Sequence, residues 1–397
     1  MLNKLPISLF GLLILIPITV SLKFAGGIGF DRIGGFYNSA WLISIPISMF
    51  FGLWLVLRYF NMIIGKKNIL LLSFMIFFVI SIKTIYIGQI DYSIIKILLS
   101  ILMFLFFIFA FIEYFKKKLK AISDINRVDN AYILYPLAII LFATVLSWQF
   151  SYYFLELRSF RDWEGIQVSV TPIFLSEKIV IYDFEQYFAF IFTLMVGSAS
   201  RLRIFPYLVL IFAALYCARL SGNSTATITI LLIILFNFTY SLLDSKSRTF
   251  FYRVISILIL LLPALYLIFM FFIYDDLGLN YSGLNKRYSM IAGYIYELHW
   301  YKVLFPFLSE ARPLAEDLHN EFLEIFNAFS VIGLLMFYFV VISFINSFKS
   351  QFRAQAISLL LIIFVGGITV SNLLHPYTSI IIAYYIAFYY VLSSKQN

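Results

Sequence analysis

The chain has 397 residues, of which 62% are hydrophobic, 20% aromatic and only 12% charged, and its formal net charge is +9. Its mean hydropathy of +0.95 lies far outside the range of soluble globular proteins. The composition therefore excludes a water-soluble protein and predicts a single all-α transmembrane domain over residues 1–397, a polytopic integral membrane protein. Because the chain has one cysteine, Cys217, a disulfide framework and a cysteine zinc site are also excluded.

Apolar runs long enough to cross about 30 Å of hydrocarbon recur along the whole chain. They predict about twelve transmembrane helices, with boundaries uncertain by several residues. In chain order these spans cover residues 5–22, 39–57, 68–88, 93–114, 131–150, 180–199, 204–219, 225–243, 254–274, 329–348, 354–374 and 377–393.

The connecting segments differ in charge on alternate sides of the predicted membrane. With the N-terminus inside, the inner segments hold 17 of the 29 basic residues and four of the 20 acidic residues. An excess of Lys and Arg in short loops is typical of the cytoplasmic side, so we expect both termini in the cytoplasm. The positive charge, including the KKKLK run at 116–120, is thus interpreted as a topology signal and not as nucleic-acid binding.

The two longest connections, residues 151–179 and 275–328, fall on the outer side together with all three histidines, His299, His319 and His375. Long loops in compact proteins are usually functional or disordered, and the Trp and Tyr residues among their charges argue against disorder. The inner loops are mostly short and basic. We therefore expect any chemistry on the outer face, and the large loop 275–328 is the predicted location of the active site.

The second long loop contains two predicted helical segments. RYSMIAGYIYELHWYKVLF, from Arg287 onwards, has an amphipathic pattern typical of a helix at the membrane interface. After a proline-bounded break, DLHNEFLEIFNAFSVIG predicts a helix that is capped by Asp317 and continues into the tenth span. His319 then lies at the start of a helix that emerges from the membrane, among acidic residues.

Several metal and nucleotide motifs are not matched. HNEFLE lacks the second histidine of a zinc-protease helix, and Asp275 and Asp276 are adjacent rather than spaced as an Asp-x-Asp pair. AGGIGFDRIGG has Arg32 where the dinucleotide motif needs its third glycine, and it follows a membrane helix rather than a strand. The sequence therefore predicts no metal and no cofactor.

Arginine is suited to bind phosphate because its guanidinium offers fixed, paired donors, although contact with lipid headgroups is an equally open interpretation. The arginines expected on the outer side include Arg158, Arg161, Arg219, Arg287 and Arg312. Arg219 directly precedes LSGNSTAT, where Ser221 and Asn223 supply hydroxyl and amide donors. Tight helix packing is the alternative explanation for this run of small residues.

Three segments in the second half of the chain resemble motifs of the Wzy-type O-antigen polymerases and the related O-antigen ligases. They are ARLSGNSTATITILLIIL, NKRYSMIAGYIYELHWYKVLFPF and DLHNEFLEIFNAFSVIGLLMF. In that superfamily a run of small residues opens a central span, an arginine begins a long periplasmic loop, and a His-Asn pair followed by an apolar helix and Gly ends it. The third segment matches most fully, with His319, Asn320 and Gly333 in the expected places.

The resemblance implies a membrane glycosyltransferase of the bacterial inner membrane that acts in lipopolysaccharide O-antigen biosynthesis. It would move a glycan from undecaprenyl pyrophosphate onto an acceptor hydroxyl at the periplasmic face, without a metal. The implied partners are the lipid-linked oligosaccharide and the bilayer, with room for a chain-length regulator protein. The implied catalytic residues are His319, Arg287, Glu316 and Glu321, and the implied substrate-binding residues are Arg219, Arg312, Asn320, Arg161, Ser221 and Asn223.

Two alternatives to a polymerase remain open from the sequence. An O-antigen ligase, which transfers finished polymer to lipid A-core, shares nearly every feature and differs only in its acceptor. A flippase for lipid-linked oligosaccharides would carry out no chemistry. A transporter should place ionisable residues at the middle of the bilayer, whereas the charges here cluster towards the outer ends of the spans.

Overall fold

The computed structural model describes residues 92–119, 159–161, 167–169, 204–220, 224–273, 288–289, 291–294, 320–368, 373 and 376–394. The predicted spans at 5–22, 39–57, 68–88, 131–150 and 180–199 lie outside these residues. Each of the other seven predicted spans overlaps a helix. The helices are α1 Tyr92–Leu119, α2 Ile204–Leu220, α3 Ser224–Leu242, α4 Ser245–Ile268, α5 Glu321–Asn346, α6 Arg353–Gly367 and α7 Pro376–Ser394.

Four helical stretches in the described part have the length and apolar composition of a membrane span, namely Thr225–Leu242, Ser245–Ile268, Glu321–Asn346 and Ser350–Gly367, although the third is bent at Ser330. Large apolar side chains on α3 and α4 point away from the bundle; Phe238 is 63% and Phe250 71% exposed. Such surfaces promote aggregation in water but match the acyl chains of a bilayer. The structure thus supports the prediction of a helical membrane protein.

A small antiparallel hairpin interrupts the otherwise helical pattern. Strand β1, Ser159–Arg161, pairs with strand β2, Gln167–Ser169, and Phe160 lies opposite Val168. The hairpin falls within the predicted outer loop 151–179, to which the all-α prediction assigned no strand.

Helix α4 begins at Ser245, earlier than the predicted span 254–274. Asp244 is its N-cap, and the carboxylate accepts a hydrogen bond from the backbone N–H of Lys246. Its first turns are polar, so the hydropathy of the sequence reveals only the apolar remainder of the helix. A hydrogen bond from Ser247 is the largest cause that lowers the pKa of the exposed Asp244 carboxyl. At its other end the helix continues as a π-helical turn, Phe269–Ile273.

Helices α6 and α7 form the centre of the described bundle. Nearly every residue of both helices that is described at the side-chain level is buried, as expected for helices that are apolar on all sides. Helix α6 packs against α3 and α4, and α7 packs along α1. Aromatic rings fill the second interface; Phe111 lies 5.3 Å from Tyr384 and Phe115 lies 5.2 Å from Phe388, measured between ring centroids.

Helices α1 and α7 and the later part of α5 run in the same direction. Residue numbers rise together in the ring pairs Phe104–Phe337, Phe109–Phe344, Phe111–Tyr384 and Phe115–Phe388. Their C-terminal ends therefore meet at one end of the bundle, which we call the basic end. It gathers Lys116, Lys117, Lys118, Lys246, Arg248, Lys349 and Arg353. The topology predicted from charge requires all of these on one side of the membrane.

Hydrogen bonds join the α3–α4 turn to the α5–α6 connection at the basic end. Tyr240 Oη donates to the carbonyl oxygen of Ser350 at 3.1 Å, and Arg353 donates to Thr249 Oγ1 at 2.7 Å. Arg248 donates to two carbonyl oxygens at the end of α3, which have no partner within that helix. The basic end is therefore held by directional contacts as well as by apolar packing.

Candidate functional site

The structure describes only part of the predicted site. Asn320 and Glu321 are described with their side chains, whereas Arg219 in α2 and Arg161 in β1 are described only by their backbone. The other six predicted residues lie outside the described part: His319, Arg287, Glu316, Arg312, Ser221 and Asn223. The described site is therefore the start of α5 and the residues packed around it.

Helix α5 is folded back on itself. Tyr338 Oη donates a hydrogen bond to Glu321 Oε1 at 2.6 Å, although the two residues are 17 positions apart. In a straight helix that separation would span about 25 Å, far more than two side chains can bridge. Phe322 also stacks on Tyr338 with 5.0 Å between ring centroids. We call residues 321–329 the first arm and residues 331–346 the second arm.

The fold-back occurs at Ser330. Its backbone angles, φ 65° and ψ −177°, are non-helical and lie in a region that is essentially restricted to glycine. The Ser330 side chain supports the bend, because its Oγ accepts a hydrogen bond from the backbone N–H of Ile332 at 3.2 Å. That N–H belongs to the first turn of the second arm, where a helix lacks internal acceptors.

Gly333 makes the close approach of the two arms possible. A Cβ atom at this position would overlap the Cβ of Phe329, which lies on the other side of the bend. Because a Cβ is fixed to the backbone, rotation of the residue 333 side chain could not relieve the overlap. The glycine that completes the sequence motif thus has a defined structural role in this chain.

Asn320 is the N-cap of α5, and the prediction that Asp317 would cap this helix is wrong. The Asn320 backbone is extended, its Oδ1 accepts a hydrogen bond from the N–H of Leu323 at 3.1 Å, and its carbonyl accepts from Glu324. The predicted uninterrupted passage into the tenth span is also wrong, because the chain reverses at Ser330. The physical reason lies in distant contacts, which local helix signals do not contain.

The Glu321 carboxylate is completely buried, with 0% of the residue exposed. Its Oε1 accepts from Tyr338 Oη, and its Oε2 accepts from the backbone N–H of Leu373 at 2.5 Å. The 2.6 Å distance to the tyrosine hydroxyl is in the range of a hydroxyl that donates to an ionised carboxylate. The N-terminal end of a helix also favours a negative charge at this position.

Aromatic packing encloses the carboxylate. Phe364 of α6 contacts both Phe322, at 5.6 Å, and Tyr338, at 5.1 Å between ring centroids. At the end of α6, a Cβ on Gly367 would lie 3.0 Å from the ring of Phe322, so the backbone of α6 passes close to the first arm. Glu321 is therefore surrounded by packed protein and has no contact with solvent.

Part of the second long loop packs against the first arm. Ile291, 2% exposed, packs on Leu323, and Tyr294 Oη donates to Asn327 Oδ1 at 3.3 Å. Burial raises the pKa of Tyr294 well above that of an ordinary tyrosine, so its hydroxyl remains a donor at neutral pH.

Reasoning from the sequence missed Tyr338, Leu373 and Ser330. Tyr338 lies in a run of apolar and aromatic residues, where it cannot be distinguished from a residue that faces lipid. Leu373 contributes a backbone N–H, which every residue except proline has. No local signal identifies either as a partner of Glu321. Within the described residues, no three His, Cys, Asp or Glu side chains are grouped so that they could hold a metal ion.

The fold and site together define a helical membrane protein in which a folded-back helix buries a carboxylate beside part of a long connecting segment. Comparison of the chain with family models, with curated proteins and with solved structures finds no match.

Proposed function

We propose that the chain is an O-antigen polymerase of the Wzy type, with both termini in the cytoplasm of a bacterial cell. It joins undecaprenyl-pyrophosphate-linked repeat units at the periplasmic face of the inner membrane. The membrane helices and the gathered positive charge of the basic end support this proposal. The observation that carries it is that Asn320 and Gly333, both part of the matching motif, have specific roles in building the folded-back α5.

The proposed reaction is displacement at the anomeric carbon of the lipid-linked sugar. A base removes the proton of the acceptor hydroxyl, the hydroxyl oxygen bonds to the anomeric carbon, and the bond from that carbon to the phosphate oxygen breaks. Undecaprenyl pyrophosphate leaves with the electron pair, and the anomeric configuration inverts. Arg287, assisted by Arg219 or Arg312, supplies positive charge where the leaving pyrophosphate becomes more negative.

Glu321 is less suited than its neighbours to act as the base. Its two oxygens already accept hydrogen bonds, and the residue is fully buried. A general base must reach the proton that it removes. In the proposal this role therefore falls to His319, directly before Asn320 in the sequence, or to Glu316. Arg161, Ser221 and Asn223 contribute to substrate binding in the proposal, whereas Asn320, which is 2% exposed and caps α5 with its side chain, positions the helix.

Deletion of the gene tests the proposal through the lipopolysaccharide pattern on a silver-stained gel. A polymerase mutant loses the ladder but keeps one repeat unit attached to the core, because export and ligation still work. A bare core would refute the proposal. Lipid-linked polymer that accumulates outside would then indicate a ligase, and single repeats retained inside would indicate a flippase.

Complementation of the deletion strain tests the assigned residues. Plasmid-borne wild-type protein should restore the ladder, whereas Arg287→Ala and His319→Ala should not. Arg253→Ala is a matched control because Arg253 is exposed and lies in α4, on the predicted cytoplasmic side. Full polymer length from Arg287→Ala, at wild-type protein levels, would rule out the assigned mechanism. Full polymer length from His319→Ala would rule out His319 as the base and leave Glu316 in that role.

A further inference from the structure

We propose that Tyr338 and Glu321 form a positioning pair for the reaction, an inference that rests on the proposed function. The pair holds the start of the first arm in place, and with it the point where His319, one of the two proposed bases, is joined to Asn320. Neither residue touches substrate in this proposal. Their hydrogen bond of 2.6 Å joins the first residue of the first arm to the middle of the second arm.

Packing by itself does not explain a tyrosine at position 338. Its ring stacks on Phe322 and contacts Phe364, and a phenylalanine would make the same ring contacts. The hydroxyl therefore adds only its hydrogen bond to Glu321. A hydroxyl and a carboxylate buried in an apolar bundle are costly unless they are paired. The polar pair thus gives the bend a directional contact, which apolar packing cannot supply.

The pair fixes the position of the backbone around Asn320. Glu321 bonds to the second arm through Oε1 and to the segment after α6 through Oε2, so three parts of the chain meet at one carboxylate. The neighbouring Asn320 is held independently by its capping bond to Leu323. His319 lies outside the described residues, but its peptide bond joins it to Asn320, which both sets of bonds restrain.

Restraint of this kind matters because a base must lie within hydrogen-bond distance of the hydroxyl from which it removes the proton. A misplacement of about 1 Å can lower the rate of an enzyme about a hundredfold. Loss of the pair should therefore reduce the rate of the chemical step and leave substrate binding nearly unchanged, because neither residue of the pair touches substrate in the proposal. A lower kcat at constant KM is the expected signature.

The experiment uses the full-length protein in nanodiscs and, as substrate, lipid-linked repeat units extracted from the deletion strain. The variants are Tyr338→Phe, Glu321→Gln and the double variant, and kcat and KM are measured for each well below its unfolding temperature. Tyr252→Phe is the matched control. It also removes a hydroxyl from an almost fully buried tyrosine, one that bonds Asn346 at 2.9 Å at the basic end.

The expected result is a kcat about ten- to a hundredfold lower for each single variant, with KM within about twofold of wild type. The double variant should lose little more than Glu321→Gln alone, because the hydrogen bond that Tyr338→Phe removes is already altered in that variant. Tyr252→Phe should keep its kcat even where its thermal stability falls. Tyr338→Phe retains the ring and so decides the question if Glu321→Gln fails to fold.

Two outcomes separate this proposal from the proposed function. If wild-type protein extends the repeat units and folded Tyr338→Phe keeps its kcat, the positioning role is refuted and the polymerase assignment stands. The same conclusion follows if Tyr338→Phe loses activity only in proportion to its folded fraction. If wild-type protein does not extend the repeat units, the polymerase assignment is refuted and the positioning pair with it.

Discussion

Replacement of Gly333 by alanine is the most direct test of the folded-back α5. In an ordinary helix, Gly→Ala stabilises a protein by about 1 kcal/mol, because alanine has the higher helix propensity. Here the new Cβ would overlap the Cβ of Phe329, and neither atom can move without its backbone. Overpacking of this kind typically costs about 1–3 kcal/mol, which outweighs the propensity gain and reverses the sign of the effect.

The overlap also has a consequence beyond local strain. Relief of the overlap requires the two arms to separate, and this draws Tyr338 away from Glu321. A buried carboxylate that loses a partner costs a further amount of about 1–3 kcal/mol. With the propensity gain subtracted, we expect the free energy of unfolding to fall by about 1–5 kcal/mol.

Thermal unfolding of the purified protein in nanodiscs measures this effect. Gly293→Ala is the matched control, because a Cβ added at Gly293 would have no neighbour within 4 Å. That variant should be as stable as wild type or slightly more stable. If Gly333→Ala also unfolds at or above the wild-type temperature, the close approach of the two arms is wrong, and with it the argument that Gly333 is needed for the fold-back.

Three further changes test the bend, the cap and an exposed carboxylate by the same unfolding measurement. Ser330→Gly should be more stable than Ser330→Ala by about 1 kcal/mol or more. Both variants lose the Oγ, but only glycine relieves the strain of the positive φ. Equal stability of the two variants would contradict that backbone conformation. Asn320→Ala should lower the free energy of unfolding by about 0.5–2 kcal/mol, and Asn320→Asp by much less, because aspartate can also cap the helix. Equal losses in the two variants would show that the Asn320 side chain is not the cap. Because the pKa of Asp244 is lowered, its ionised carboxylate stabilises the folded protein above the ordinary carboxyl pKa. This stabilisation is lost as the pH falls through the lowered value. Asp244→Asn should remove this part of the loss of stability at low pH. If the variant and wild type lose stability equally as the pH falls, the stabilising role of the Asp244 carboxylate is wrong.

The membrane class and the approximate positions of the helices could be predicted because both depend on local composition. An apolar run of sufficient length predicts a span wherever the rest of the chain lies, and seven predicted spans overlap helices of the structure. The boundaries were less accurate where a helix begins with polar residues. Helix α4 begins directly after its cap, Asp244, and its first turns carry polar residues that hydropathy does not count.

The candidate site was predictable only in part. Of the predicted site residues, Asn320 and Glu321 are described with their side chains, and both have buried structural roles at the start of α5. The environment of Glu321 was not predictable, because its two partners lie 17 and 52 residues further along the chain. A carboxylate at a helix start looks the same in sequence whether it faces solvent or aromatic rings.

The sequence by itself determined that this chain is a helical membrane protein, because the length of an apolar run predicts a span without any tertiary contact. The charge of the connecting segments likewise predicts which basic residues lie on the same side of the membrane. Only the tertiary structure decided that α5 reverses at Ser330 and that Glu321 is buried against Tyr338 and Leu373. The local sequence contains no proline between Glu321 and Asn346 and therefore predicts a continuous helix there. Contacts between the arms and with α6 favour the bend, and together they offset the strain at one residue.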